Sequence, residues 1–392
     1  MNTMDKLQAR FDTMLKDTPT AFHRYLWDLI DWDERMIGVK GPRGVGKTTL
    51  LLQYAKERLG RNNVLMVNAE DLYFSNHTLV DLADQFVRLG GEVLLIDEIH
   101  KYGNWSRELK LIYDYHQGLK VVFTGSSILD IERGEADLSR RVVAYDMQGL
   151  SFREYLEMFK DIRLPKLSLE EILSHKVAVP SDFRPYAYFS DYLKNGYYPF
   201  AGENHFEEKL MQVVGKTLEV DIPQYTEMTV AATRKMKHLM TIIAESVPFK
   251  PNVQAIAQSV GISRNLLPNW FVLMEKAGLI AQLRNDTGGF RSLGKVEKIY
   301  LDNTNLAHLL GGSNSDIGNA RETFFFNQMR VNHEVITSSV SDFKIGDRTF
   351  EVGGPNKKQH QIAGVDDAFV VKDDVDSGHA NVIPLWLFGL NY

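Results

Sequence analysis

Residues 41–49 read GPRGVGKTT, and they fit the pattern G-x-x-x-x-G-K-[ST] at Gly41, Gly46, Lys47 and Thr48. Pro42, Arg43, Gly44, Val45 and Thr49 complete the stretch. Glycines at this spacing let backbone N–H groups turn inward around phosphate oxygens. The strand-like run MIGVK precedes the stretch and the helical run TTLLLQYAKERLG continues from it. That context is the one the motif requires. A helix N-terminus adds partial positive charge where the phosphates would lie. Lys47 is expected to neutralise the β- and γ-phosphates, and Thr48 to ligate Mg²⁺.

A second stretch, VLLIDE, places four apolar residues before Asp97 and Glu98. Carboxylates at the C-terminal end of a strand sit where open α/β sheets bind ligands. Asp97 is therefore expected to be the Mg²⁺ partner, and Glu98 to orient or deprotonate an attacking water. The run VVFTGSS ends in Ser126 and Ser127. Either hydroxyl reaches the γ-phosphate or caps the following helix. Arg140 and Arg141, in LSRRVVAYDM, are either a surface pair or a source of transition-state charge. The second role works in cis or from a neighbouring subunit.

These residues need a scaffold, and the first 150 residues predict one. Runs at 36–41, 63–69, 92–98, 120–126 and 141–147 read as strands, with helices between them. The first four are continuously aliphatic, which suits a parallel sheet covered on both faces. Residues 1–33 read helical, with Phe11, Met14 and Leu15 at helical spacing and a second run at AFHRYLWDLIDW. The expected fold class is α/β: a P-loop parallel-sheet domain (1–150), a helical connector (151–233), a small domain (234–300) and an α/β tail (301–392).

Residues 234–300 carry ten Lys/Arg against four Asp/Glu, a local balance of +6 in a chain of net charge −6. Two amphipathic helices flank a turn at Gly261, and a Gly-turn hairpin follows. This is the outline of a winged helix-turn-helix. Arg264, Asn265, Asn269, Arg284, Arg291, Lys295 and Lys298 are its candidate DNA contacts. A winged helix that contacts protein only is the alternative.

At 392 residues, 44% apolar and 24% charged, the chain has the composition of a soluble multidomain protein. It has no cysteine, which excludes disulfides, thiolate nucleophiles and zinc–thiolate sites. No apolar run reaches transmembrane length, and the charged N-terminus lacks a signal core. A cytoplasmic location is expected, with no membrane partner.

With DEIHKYGNWSRELKLIYDYHQGLKVVFTGSS, GPRGVGKTTLL and LSRRVVAYDMQGLSFREYL together, the chain resembles prokaryotic AAA-type ATPases with a C-terminal domain of unknown function. The likeness covers nearly the whole chain and is strongest over residues 36–156. It implies ATP and Mg²⁺ as cofactors and ATP hydrolysis as the activity. It implies Ser126 at the sensor position, and it favours Arg141 over Arg140. It also implies a winged helix and a tail resembling the restriction-endonuclease-like fold.

A nuclease of that type uses an Asp on one strand and Glu-x-Lys on the next, often with a helical Glu. The matching positions are Glu322, Asp342 and Glu351, but Gly353 stands where the lysine belongs. Lys357 or Lys358 would have to reach in from the following turn. Asp347 reads as a hairpin residue. The tail is expected to be a docking or nucleic-acid-reading module, with cleavage by a relocated lysine as the alternative. The leading expectation is an Mg²⁺-dependent ATPase whose nucleotide state repositions the later modules, with DNA as the target. A nucleotide-dependent switch that binds a protein partner with little turnover is the other expectation. Oligomeric state is left open.

Overall fold

The computed structural model describes residues 3–59, 63–125, 138, 140–177, 179–180, 182–226, 228–286, 294–311, 317–357 and 359–392. They form two compact units, Met1–Gln148 and Gly149–Tyr392.

In the first unit five strands form one parallel sheet, in the order β2-β3-β4-β1-β5. They are β1 (Met36–Lys40), β2 (Val64–Asn68), β3 (Val93–Asp97), β4 (Lys120–Gly125) and β5 (Val143–Asp146). Each lies within the run expected of it. Burial on both faces explains their unbroken aliphatic character: Ile37, Leu65, Leu94, Leu95, Ile96 and Val122 are fully buried. The edge strand β5 is partly exposed and correspondingly less aliphatic.

Helices α1 (Thr3–Asp17), α2 (Lys47–Tyr54), α3 (Leu79–Arg88) and α4 (Trp105–Tyr115) accompany the sheet. α1 buries Met4, Leu7, Phe11 and Leu15, whereas Met14 faces outward. The run AFHRYLWDLIDW contains only a short 3₁₀ turn, Tyr25–Trp27, rather than the expected helix. Its aromatic residues serve packing instead, with Trp32 stacked on Tyr54 at 3.9 Å between ring centroids. At the start of α3, Thr78 and Asp81 form a reciprocal capping box. The buried Glu108 of α4 accepts the Leu79 N–H at 2.8 Å, so a carboxylate faces that helix N-terminus.

The second unit begins with helices, among them Phe152–Lys160, Tyr186–Asn195 and Phe206–Lys216. Helices Val230–Ser246, Val253–Val260 and Leu267–Lys276 follow, and then an antiparallel hairpin of β6 (Ile280–Arg284) and β7 (Val296–Leu301). Gly261 ends the second of these helices in the left-handed conformation, at φ 70°, which glycine adopts without strain. Helices Thr304–Gly311 and Ile317–Met329 lead into a mixed sheet ordered β12-β11-β10-β9-β8. Its strands are β8 (Val335–Thr337), β9 (Phe343–Ile345), β10 (Arg348–Gly353), β11 (Ala368–Lys372) and β12 (Val382–Pro384).

One apolar cluster joins residues from all three segments expected as connector, small domain and tail. It contains Phe152, Leu283, Tyr300, Phe324, Phe325, Phe326, Phe350 and Phe388. Three consecutive phenylalanines occupy more than one face of a helix, so Ile317–Met329 must be packed on several sides. The final run NVIPLWLFGLNY, whose continuous apolar character would suit a buried strand, is the short β12 followed by a buried 3₁₀ turn, Leu385–Leu390. A continuous apolar run suits either conformation when buried all round, so periodicity cannot separate them.

Among the described residues no helix is long and apolar enough to cross a membrane.

Candidate phosphate and metal site

The loop between β1 and α2 carries the phosphate motif. Gly44 and Gly46 have φ of 85° and 98°, where side-chain-bearing residues are strained. A Cβ on Gly41 would lie 2.1 Å from the Met147 carbonyl oxygen, so only glycine fits there. Val45 is fully buried and Pro42 is buried, whereas Thr49 is exposed and Arg43 partly so.

Lys47 opens α2 and folds back over the loop. Its Nζ donates to the carbonyls of Gly41 at 2.8 Å and Pro42 at 2.7 Å. The next residue, Thr48, donates its hydroxyl to Asp97 Oδ2 at 2.9 Å. Residues 49 positions apart in sequence thus meet because α2 starts beside the C-terminal end of β3. A hydroxyl and a carboxylate oxygen here suit Mg²⁺, a hard cation that uses few protein oxygens and completes its shell with phosphate and water. The fit is to a shared phosphate–metal site: among the described residues no group of three or more His, Asp or Glu side chains is arranged to hold an ion.

Asp97 is buried, and its carboxyl is pushed above the usual range. Loss of solvent is the main cause, and the charge of Glu98 adds to it. Hydrogen bonds from Thr124 and Thr48 and the charge of Lys47 work against that rise. A bound cation would act in the same direction as Lys47.

Glu98 sits directly after β3 in the left-handed region, at φ 54°. Its N–H donates to Thr124 Oγ1 at 3.2 Å, and Thr124 in turn donates to Asp97. Thr124 is therefore the hydroxyl of VVFTGSS that reaches this site among the described residues. Ser126 and Ser127 lie outside them. Arg24 also belongs to the site and had no sequence signal. Its buried guanidinium donates to the Val45 carbonyl and, at 2.7 Å, to the Gln148 carbonyl, bracing the loop from behind.

Arg141 lies elsewhere. Its side chain donates to both oxygens of Asp114, at 3.0 and 3.2 Å. Pairing of Ile37 with Val143 puts Arg141 before the start of β5, at the N-terminal edge of the parallel sheet. The phosphate loop is at the opposite edge, on the order of 15 Å away at about 3.3 Å per residue. In this arrangement Arg141 is one partner of a partly exposed ion pair with Asp114, away from the phosphate loop. Arg140 has φ 67° at the same edge.

In the second unit the four tail positions converge, with one unforeseen addition. Glu351, fully buried on β10, pairs with Lys357 and accepts a hydrogen bond from the Ser341 hydroxyl. The Lys357 stem lies where a side chain on residue 353 would go: a Cβ on Gly353 would be 2.6 Å from Lys357 Cδ. Asp342 accepts the Val352 N–H at 3.0 Å. Lys298 of β7 reaches both Glu322, at 3.1 Å, and Asp342, at 3.5 Å. The Tyr300 hydroxyl donates to Glu322 at 2.7 Å. Burial, together with the charges of Glu322 and Glu351, pushes the Asp342 carboxyl up to about 6. Asp347 is exposed in the turn between β9 and β10, and Lys358 lies outside the described residues.

This placement removes Lys298 from the expected DNA contacts. Arg284 is also removed, since it is buried and pairs with Glu275 at 2.8 Å. Lys295 sits 3.4 Å from Glu297. Arg264, Asn265 and Asn269 are exposed, and Arg291 lies outside the described residues.

A five-stranded parallel sheet in this order, with the loop at the end of β1 and a carboxylate at the end of β3, is a P-loop ATPase fold. Residues 33–156 match a family model described as an AAA domain. Residues 186–316 match one described as a domain of unknown function (DUF8612). The uncharacterized protein MJ1637 of Methanocaldococcus jannaschii is 27% identical over 321 residues. That match spans 76% of this chain and 66% of the relative, a little under two thirds of its length. Among solved structures, the Walker-type ATPase PABY2304 of Pyrococcus abyssi overlaps with a TM-score of 0.43 at 13% identity, over 79% of this chain and 96% of that one. Caenorhabditis elegans PCH-2 overlaps with a TM-score of 0.26 at 18% identity, over 70% and 66% of the two chains.

Proposed function

We propose that the chain is an Mg²⁺-dependent ATP hydrolase whose nucleotide state changes how its second unit engages a target. The observation that carries this reading is the meeting of the Thr48 hydroxyl and Asp97 carboxylate beneath the phosphate loop, 2.9 Å apart. Thr48 and Asp97 would hold the cation, which when bound neutralises phosphate charge. The loop N–H groups and Lys47 would bind and orient the β- and γ-phosphates. Glu98 would accept a proton from the attacking water. The test is phosphate release from ATP with Mg²⁺ and with excess EDTA, in wild type and Lys47→Ala. Turnover that needs both Mg²⁺ and Lys47 supports the reading, and turnover indifferent to Lys47 overturns it.

Duplex DNA is the target that the three-helix-and-hairpin segment suggests, through the exposed Arg264, Asn265 and Asn269. A specific observation favours a protein target instead. Lys237 and Lys298 pair with Glu219 and Glu322, two acids outside the segment, which lowers the local balance from +6 to +4, while Lys250, Arg284 and Lys295 stand within ion-pair distance of Glu297 and Glu275 inside it. Duplex binding at low salt that weakens steeply as salt rises would decide for DNA. ATP binding with little turnover and no duplex binding would decide for a protein-directed switch.

The pairing of Lys357 with Glu351 keeps one further reading open, a metal-dependent phosphodiesterase in the tail. Its three carboxylates are all held by protein donors, which weighs against it. Supercoiled plasmid left intact with ATP and Mg²⁺ or Mn²⁺ would remove it.

A further inference from the structure

We infer that His100 is the positioning residue for Glu98, fixing the direction in which that carboxylate faces. The inference rests on the ATP-hydrolase reading and names a residue of the same site to which no role has so far been given.

The geometry starts at the end of β3. Glu98 leaves the strand in the left-handed conformation, at φ 54° and ψ 41°. This conformation is unfavourable for a residue with a side chain and persists only where its surroundings hold it. Two contacts do so. The Glu98 N–H is held by Thr124 Oγ1, and Ile99, the next residue, is completely buried. The chain then makes the 3₁₀ turn Ile99–Lys101. The turn brings the His100 ring back toward the carboxylate two residues before it. His100 Nε2 lies 3.5 Å from Glu98 Oε2, and the ring is only 1% exposed.

The turn is held at its far end as well. The Tyr102 hydroxyl donates to the buried Glu108 at 2.9 Å, and Glu108 also accepts from the N-terminus of α3. The Tyr102 phenol is pushed up to about 12, chiefly by burial and then by its hydrogen bond to Glu108. His100 is therefore presented from a segment fixed on both sides. Glu98, by contrast, is a long side chain that needs orienting to act on a water. In the tautomer that carries its proton on Nε2, the ring limits the directions this carboxylate can take without drawing on the Asp97 metal position. Such a device acts on the chemical step, because neither His100 nor Glu98 is among the groups placed to bind the phosphates.

The experiment is steady-state ATP hydrolysis by the full chain, with ATP·Mg²⁺ affinity measured on the same proteins by calorimetry. The variants are His100→Ala, His100→Gln, Glu98→Gln and the double variant Glu98→Gln/His100→Ala. His100→Ala is expected to lower kcat by about 10- to 100-fold, with KM and affinity changed less than about threefold. His100→Gln restores an N–H near the Nε2 position and is expected to recover most of the loss. A residue that only filled space would show no such recovery. The double variant is expected to be no slower than Glu98→Gln, since His100 works only through Glu98. Undiminished ATP affinity in His100→Gln serves as the check that the site has folded.

Unchanged kcat in His100→Ala overturns the inference. So does a double variant slower than Glu98→Gln by the full His100→Ala factor. If Glu98→Gln itself turns over like wild type, or wild type does not turn over, the underlying reading of Glu98 fails and the inference with it.

Discussion

Lys357 closes on Glu351 across the backbone of Gly353, so the lysine absent from the second residue after Glu351 reaches the same carboxylate from four residues further on. Glu351 is fully buried and Lys357 is not. Lys357→Met should therefore leave a buried carboxylate short of its cation and destabilise the second unit by roughly 2–4 kcal/mol. The double change with Glu351→Gln should recover much of that. Gly353→Ala should be milder, because it displaces the lysine stem without removing the charge. Urea unfolding of the four proteins measures all three effects.

Asp342 gives a pH dependence with a definite sign. Its carboxyl is raised to about 6 in the folded chain, above its ordinary value, so the fold holds that proton more tightly than the unfolded chain does. The resulting stability is fully present below about pH 4 and is lost as pH rises through about 6. Asp342→Asn keeps an acceptor for the Val352 N–H and removes the titration. It should be more stable than wild type at pH 8, by roughly 1–3 kcal/mol, and lose that advantage at pH 4. Denaturant midpoints across the range test this.

At the phosphate site, Thr48→Ala and Asp97→Asn should each lower Mg²⁺-dependent turnover by at least about a hundredfold. Asp97→Asn should not unfold the first unit. Its carboxyl is raised by burial, so a neutral side chain of the same shape removes a desolvated charge. Thermal melting beside phosphate release separates the two effects.

Arg141 and Asp114 form a partly exposed pair, so Arg141→Ala should leave the thermal melting of the first unit almost unchanged. If copies associate, Arg141→Ala should bind ATP normally yet lose the rise in specific activity that wild type shows with protein concentration. Activity against concentration is the measurement.

For DNA, the internal ion pairs separate residues that sequence treats alike. Arg264→Ala should weaken duplex binding and reduce the salt slope by about one. Lys298→Met should leave the slope unchanged, because its ammonium is committed to Glu322 and Asp342. Affinity titrations at several salt concentrations distinguish them.

Local sequence was enough for the parallel strands, the phosphate loop, and Asp97 and Glu98 at their strand end. The reason is that these depend on short-range features: continuous aliphatic runs for doubly covered strands, and glycines where the backbone must turn against phosphate. Tertiary packing decided the partners. Arg24 behind Val45, Thr124 beside Asp97, Lys298 between Glu322 and Asp342, and Arg284 on Glu275 are all polar contacts between separate elements. No period or spacing encodes them, since which lysine neutralises a buried acid depends on which elements the core brings side by side. The same packing put Arg141 at the far edge of the sheet and drew segments that look like three modules into one apolar cluster. Residue types therefore determined what chemistry was available, and the fold decided which groups share in it, because burying a charge requires a partner within a few ångströms wherever in the chain that partner lies.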